Sequence, residues 1–247
     1  MRLDRAVTDR GFARSRSQAS ELIRMGRVRL DGRVVLKPAA EVAVDSLVEV
    51  EIDPYVSRAA HKLLGALEET GIQIPERVLD AGASTGGFTQ VLLNAGAKRV
   101  YSVDVGHGQL AASLREDARV VNLEGLHLKD LTLDHLGGEL VDLIVADVSF
   151  ISLTMLLPHL LPLMSSDGQA LILVKPQFEV GRERLGAGGI VTDPELHAWS
   201  VDRVATVARE LGWVELWRGV SQLPGPGGNR EFFLQLAFSG RAKPNND

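Results

Sequence analysis

The chain has 247 residues, 45% of them apolar, enough for one large domain or for a medium domain beside a small one. Cysteine is absent, which excludes disulfides and thiolate metal sites and suits a reducing cytoplasm. The net charge of −5 is uneven: residues 1–37 hold ten Arg or Lys against four Asp or Glu, and the rest holds 17 basic and 28 acidic residues. A basic module ahead of an acidic body points to an anionic partner, or only to a solvated surface. The first residues do not read as a secretory leader. The Leu- and Ile-rich run 141–164 is interrupted by Asp142, Asp147, Pro158, His159 and Pro162, so no membrane span is expected.

Residues 2–51 read as a compact α+β unit. Leu3, Val7 and Phe12 have helical spacing, with Gly11 as a stop. Ser15 or Ser17 can cap a second helix through Met25, with Ala19, Leu22 and Ile23 inward. Residues 28–35 predict a hairpin around Asp31-Gly32, and 47–52 a closing strand. The run Arg2-Leu3-Asp4, Ser15-Arg16, Ala19, Leu22-Ile23, Gly26, Val28, Asp31-Gly32 and Lys37-Pro38 resembles the S-four-type RNA-binding domain. That resemblance implies RNA contacts by Arg14, Arg16, Arg24, Arg27, Arg29 and Arg33. Arginine forks match phosphates and give salt-dependent affinity. The expected layout is an RNA-binding domain over 1–52, a linker over 53–56, a larger domain over 57–240 and a disordered tail over 241–247, with the polar run starting at Ser239.

Ser57 is the expected cap of a helix over 58–70, stopped by Gly71, with Ala59, Leu63, Ala66 and Leu67 inward and Lys62 in its second turn. Strands are predicted at 77–81, 99–104, 119–122, 141–147, 169–175, 213–220 and 231–238, with helices between most of them. This alternation predicts a seven-stranded, mostly parallel α/β sheet covered on both faces. The Gly/Pro turn 223–228 makes the last strand antiparallel to its neighbour.

The stretch 78–89 reads as strand, glycine-rich turn and helix start, and Asp104 ends the next strand 18 residues after Gly86. This is where a Rossmann-like fold holds a nucleotide cofactor: backbone N–H groups of the helix face the ligand and a carboxylate takes its ribose. The spacing Gly82-x-x-x-Gly86-Gly87 misses the NAD fingerprint, and a Walker Gly-Lys-Ser/Thr is absent. The turn resembles motif I of Rossmann-like methyltransferases, particularly the FtsJ type. That resemblance implies S-adenosylmethionine, with Asp80, Gly82, Ser84 and Gly86 at its methionine end, Asp104 on the ribose, and Leu123 and Glu124 bordering the adenine.

Asp147, Lys175 and Glu231 fall at strand ends on the same edge, and Lys62 starts near it. The four resemble the Lys-Asp-Lys-Glu tetrad of ribose 2′-O-methyltransferases. A ribose hydroxyl is a poor nucleophile, so it must be aligned and deprotonated, and a lysine does this only when its proton affinity is lowered. Lys175 is the expected base, Asp147 and Glu231 orient the two ammonium groups, and Lys62 positions substrate. No metal is required. Taken singly, Asp147 could cap a helix, Glu231 could be a surface charge and Lys62 could snorkel. The Asn/Asp-Pro-Pro-Tyr/Phe element common in amino-group methyltransferases is replaced by Asp147-Val148-Ser149-Phe150, which disfavours nitrogen methylation.

The two parts together, with residues 57–63, 80–89, 175–179 and 188–191, resemble the TlyA family over nearly the whole chain. That resemblance implies cytidine 2′-O-methylation of ribosomal RNA, with rRNA or ribosomal subunits as partner; the family also carries the name haemolysin. One departure is the linker, where Asp53-Pro54-Tyr55-Val56 replaces a basic, tryptophan-containing segment. The glycine-rich run 181–189 reads as a lid with Arg182 and Arg184 on phosphate, or as a surface loop. His61 and His107 read as local hydrogen-bonding residues. The competing functions are a membrane-active haemolysin and a non-catalytic RNA-binding assembly factor. Oligomeric state is not legible in the sequence.

Overall fold

The computed structural model describes residues 1–13, 15–51 and 53–241, and the chain divides into two compact units, Met1–Pro54 and one beginning at Tyr55. Arg14, Ile52 and the tail 242–247 lie outside the described residues.

In the first unit α1 (Leu3–Asp9) and α2 (Arg16–Arg24) pack on a sheet of β1 (Val28–Leu30), β2 (Arg33–Val34) and β3 (Val48–Val50), ordered β2-β1-β3. Ser15 caps α2, its hydroxyl accepting from the Gln18 N–H. Asp31 and Gly32 both take positive φ, as a two-residue hairpin turn requires. Leu3, Val7, Ala19, Ile23, Val28 and Val48 form the core. Phe12 is not part of it: α1 ends at Asp9, so the ring falls beyond the helix and is 39% exposed. Asp4 is buried beneath Arg2 (2.8 Å) and Arg16 (3.1 Å), and the Arg2 hydrogen bond is the chief reason its carboxyl is held down to about 2.

The second unit opens with α3 (Ala59–Thr70), closed by Gly71 at φ 66°. Its N-cap is Arg58 rather than Ser57, and no side chain caps it. The Ser57 hydroxyl instead sits against Gly87, in the space a Cβ there would need. The expected inward residues Leu63 and Ala66 are buried and Ala59 and Leu67 pack against the same core, but the face is wider than expected and also buries Ala60 and Lys62. Next come β4 (Arg77–Ala81), α4 (Gly87–Asn94), β5 (Arg99–Asp104), α5 (Ala112–Arg115), β6 (Val120–Glu124), β7 (Val141–Ala146) and α6 (Leu153–Leu160). They are followed by β8 (Met164–Val174), α7 (Pro176–Glu179), α8 (Pro194–Glu210), β9 (Trp213–Val220) and β10 (Phe232–Phe238). β6 reaches two residues further than expected, and β8 starts five residues earlier.

The seven strands run β6-β5-β4-β7-β8-β10-β9, with β10 antiparallel to both neighbours. Apolar clusters cover both faces, one containing Leu79, Ile144, Leu157 and Leu234, the other Leu63, Phe88, Leu173 and Phe233. Strand order reverses beside β4, which lies between β5 and β7. At such a switch point the connections leave in opposite directions and open a crevice at the carboxyl ends. The end of the sheet is ordered further than the sequence predicts: Ser239–Arg241 forms a 3₁₀ turn, with the Ser239 N–H on the Gly212 carbonyl. Among the described residues no helix is long and apolar enough to cross a membrane.

Candidate active site

Two adjoining cavities, of about 730 and 530 Å³, open at the carboxyl ends of β4 and β7. They share Gly82, Ser84, Asp147, Ser149 and Phe150 as a common wall.

The larger is the donor side. Asp104 ends β5 and draws the glycine turn to itself: its Oδ2 accepts the Ser84 N–H (2.8 Å) and its Oδ1 the Gly106 N–H (2.7 Å). A carboxylate offers about four lone-pair positions, so each oxygen keeps one for a ribose hydroxyl. Ser84, at φ 47°, gives its hydroxyl to Gln109 Oε1 (3.1 Å). Gly82 must be glycine because its φ is 88° and a Cβ would meet the Asp147 carbonyl at 2.8 Å. Cavity volume, a carboxylate at the strand end and a turn with glycine at its closest approach together fit an adenosyl cofactor.

Other expected cofactor residues line neither cavity. Asp80 is fully buried; Thr89 donates to its Oδ2 (2.6 Å) and lies 2.7 Å from the Ser102 hydroxyl. Burial pushes the Asp80 carboxyl up to about 7, partly offset by the Thr89 hydrogen bond. Gly86 closes packing, since a Cβ would press on Leu110 and Leu114. Leu123 packs against the core. Glu124 accepts three successive backbone N–H groups, from Gly108, Gln109 and Leu110 at 2.9–3.1 Å. Those amide bonds, the Leu110 one foremost, hold its carboxyl down to about 2. Its oxygens fix the loop carrying Gln109. His61 packs edge-on against Tyr55 and lines neither cavity, nor does His107.

The smaller cavity is the acceptor side and contains the whole tetrad. Lys62 comes from the first turn of α3, Asp147 follows β7, Lys175 follows β8 as the N-cap of α7, and Glu231 precedes β10. The Asp147 N–H bonds the Ala81 carbonyl (3.0 Å), which ties the acceptor side to the glycine turn. Lys62 Nζ donates to Glu231 Oε2 at 2.6 Å; Lys175 Nζ lies 2.6 Å from Asp147 Oδ1 and donates to Ser149 Oγ at 2.9 Å. Lys62, Lys175 and Glu231 are buried.

Sequence reasoning missed Ser149, Gln109 and Phe150. Phe150 is 92% exposed at φ 66°, with its ring 5.3 Å from Phe178 at the cavity mouth. A position two residues past a strand-end acid was the available signal for Ser149. Glu179, buried behind this loop, accepts the Leu153 N–H (2.8 Å) and the Ser152 hydroxyl (2.5 Å), and burial raises its carboxyl. The run 181–189 contains two 3₁₀ turns; Arg184 stacks 5.0 Å over Trp199, and Gly188 and Gly189 line the acceptor cavity.

On the first unit Arg16, Arg24, Arg29 and Arg33 are exposed. Arg16 also pairs with Asp4, Arg29 reaches the Gly32 carbonyl (3.4 Å), and half-buried Arg27 pairs with Asp53 at 2.8 Å.

Sheet order, glycine turn and strand-end carboxylate fit the class of Rossmann-like, S-adenosylmethionine-dependent methyltransferases. Known proteins agree: the FtsJ-like methyltransferase family model matches residues 55–238, and the S4 domain model matches residues 1–48. The 16S/23S rRNA (cytidine-2′-O)-methyltransferase TlyA of Mycobacterium tuberculosis is 53% identical, over 95% of this chain and 89% of the relative. Hemolysin A of Brachyspira hyodysenteriae is 39% identical, over 96% of this chain and 99% of the relative. A solved structure of a candidate hemolysin from Streptococcus thermophilus is 35% identical with a TM-score of 0.77, over 97% of this chain and 88% of that one. The chain belongs to the TlyA family.

Proposed function

We propose that the chain methylates the 2′-hydroxyl of a cytidine in ribosomal RNA, in the cytoplasm where ribosomal subunits are found. The observation that carries this reading is the pair of buried lysine–carboxylate contacts, Lys62–Glu231 and Lys175–Asp147, in a cavity sharing a wall with the cofactor pocket. When bound, S-adenosylmethionine supplies a methyl group on a sulfonium, an electrophile that needs no metal. Gly82, Ser84 and Asp104 would hold it.

The chain's own residues then have distinct tasks. Lys175 takes the 2′-hydroxyl proton at Nζ, and a lysine does so only in its uncharged form. Asp147 and Ser149 fix where that nitrogen points. Lys62, held by Glu231, donates to the ribose oxygens and keeps the acceptor in line. Arg16, Arg24, Arg29 and Arg33 on the first unit, with Arg14 beside them in sequence, bind phosphate and recruit folded RNA. The relatives named for cytidine 2′-O-methylation support the choice of nucleotide.

Incubating the protein with labelled cofactor and ribosomal subunits from cells lacking it tests this. Label is expected in RNA. Label recovered only in ribosomal protein would refute the reading.

A further inference from the structure

Two turns form part of the acceptor cavity, one contributing Gly188 and Gly189, the other Gly227 and Asn229. The Asn229 side chain joins them by hydrogen bonds. Asn229 is 5% exposed; its Oδ1 accepts the Val191 N–H at 3.0 Å and its Nδ2 donates to the Gly189 carbonyl at 3.2 Å. Its own carbonyl accepts the Gly225 N–H at 2.8 Å. Val191 is anchored a second time by His197, whose Nε2 lies 2.8 Å from the Val191 carbonyl. A carbonyl only accepts, so the ring donates there.

Three of the residues in this wall carry no side chain. Gly188, Gly189 and Gly227 take φ of 71°, 74° and 71°, so their conformation requires glycine. Nothing crowds the position a Cβ would take at Gly189. A bare backbone is a surface that a ribose–phosphate strand can approach closely. The same turn abuts the tetrad: a Cβ at Gly225 would press on the Glu231 carboxylate and displace it.

We infer that Asn229 is a positioning residue for the acceptor strand, holding the turn 186–191 against the turn 225–229 so that the glycine wall receives the backbone flanking the target nucleotide. This rests on the ribose-methylation reading above. Contacts along a flanking strand are present before and during the reaction, so their loss raises KM more than it lowers kcat.

The test uses the full-length protein, labelled S-adenosylmethionine and ribosomal subunits lacking the modification. Asn229→Ala is expected to lower kcat/KM for subunits by about tenfold or more, mostly through KM, with cofactor Kd close to wild type and Tm lower by only a few degrees. Amide exchange over 189–191 is expected to rise. His197→Phe keeps a ring against Phe232, loses the Val191 bond, and is expected to show a smaller loss in the same direction. The double variant is expected to lose less than the product of the two. A kcat/KM that stays near wild type in Asn229→Ala overturns the assignment, as does a loss that tracks Tm and cofactor Kd. Unchanged exchange at 189–191 overturns it whatever the substrate. Wild-type protein that methylates no ribosomal RNA overturns the ribose-methylation reading instead.

Discussion

Lys62 and Glu231 are 169 residues apart in sequence and 2.6 Å apart at their charged ends. Glu231 is 0% exposed and Lys62 5%. Removing one member of such a pair leaves a buried charge without compensation, at a cost of about 3–5 kcal/mol. Glu231→Gln is therefore expected to lower stability in urea melts and to cut methyl transfer. Lys62→Met combined with Glu231→Gln is expected to recover much of the stability and none of the activity. Equal destabilisation by single and double variants would contradict the pairing.

Lys175 is held by Asp147 at 2.6 Å and Ser149 at 2.9 Å. If Nζ takes the ribose proton, Lys175→Met loses that step, worth about 100-fold or more. Calorimetric titration with S-adenosylmethionine is expected to give a Kd near wild type, because Lys175 lines the acceptor cavity and not the donor one. Ser149→Ala is expected to cost less, since the Asp147 contact still orients the amine.

Asp80 gives the stability a pH dependence of defined sign. Its carboxyl is raised from 3.8 to about 7 in the folded state, chiefly by burial. The unfolded chain releases this proton first, so the contribution is full below about pH 4 and is lost as pH rises towards 7. Asp80→Asn removes the ionisable group. The stability difference between Asp80→Asn and wild type is expected to shift in the variant's favour between pH 5 and pH 8, measured by urea unfolding. A difference constant with pH would contradict this account.

Asp4 has the opposite sign. Arg2 and Arg16 hold its carboxyl at about 2. Its contribution is present above the unfolded value of about 4 and lost as pH falls towards 2. Asp4→Asn is expected to lower the melting temperature of the first unit by a few degrees at pH 7 and to have little effect near pH 2.

The arginines of the first unit divide by what they already hold. Arg24 and Arg33 are exposed, and Arg27 is half-buried against Asp53. Arg33→Ala is expected to weaken RNA binding and flatten its salt dependence by about one phosphate contact. Arg27→Ala is expected to act mainly on stability. Filter binding across a salt series separates the two.

Much of this was legible in the sequence, where local chemistry controlled the outcome. Positive-φ glycines, apolar strands and Asp104 at a strand end mark the donor side without any long-range information. The tetrad was legible because three of its members fall at strand ends that topology brings to one edge. Side-chain partners across the fold were not legible. Glu124 reads as an adenine neighbour; that its oxygens also accept three amides of the loop 108–110 is not legible in the sequence. Ser57 was expected to cap a helix, yet its hydroxyl faces Gly87. Asp80 has the spacing of a ligand contact, but it is fully buried against Thr89 and lines neither cavity. In each case the partner of the group is set by the folded geometry and not by the local pattern.

The most direct test of the central claim is the chemical position of the transferred methyl. Ribosomal RNA labelled by the wild-type protein, hydrolysed in alkali, is expected to yield a resistant dinucleotide carrying label on a cytidine 2′-oxygen, and Lys175→Ala is expected to yield none. Label on a base nitrogen or carbon, or full incorporation by Lys175→Ala, would contradict it.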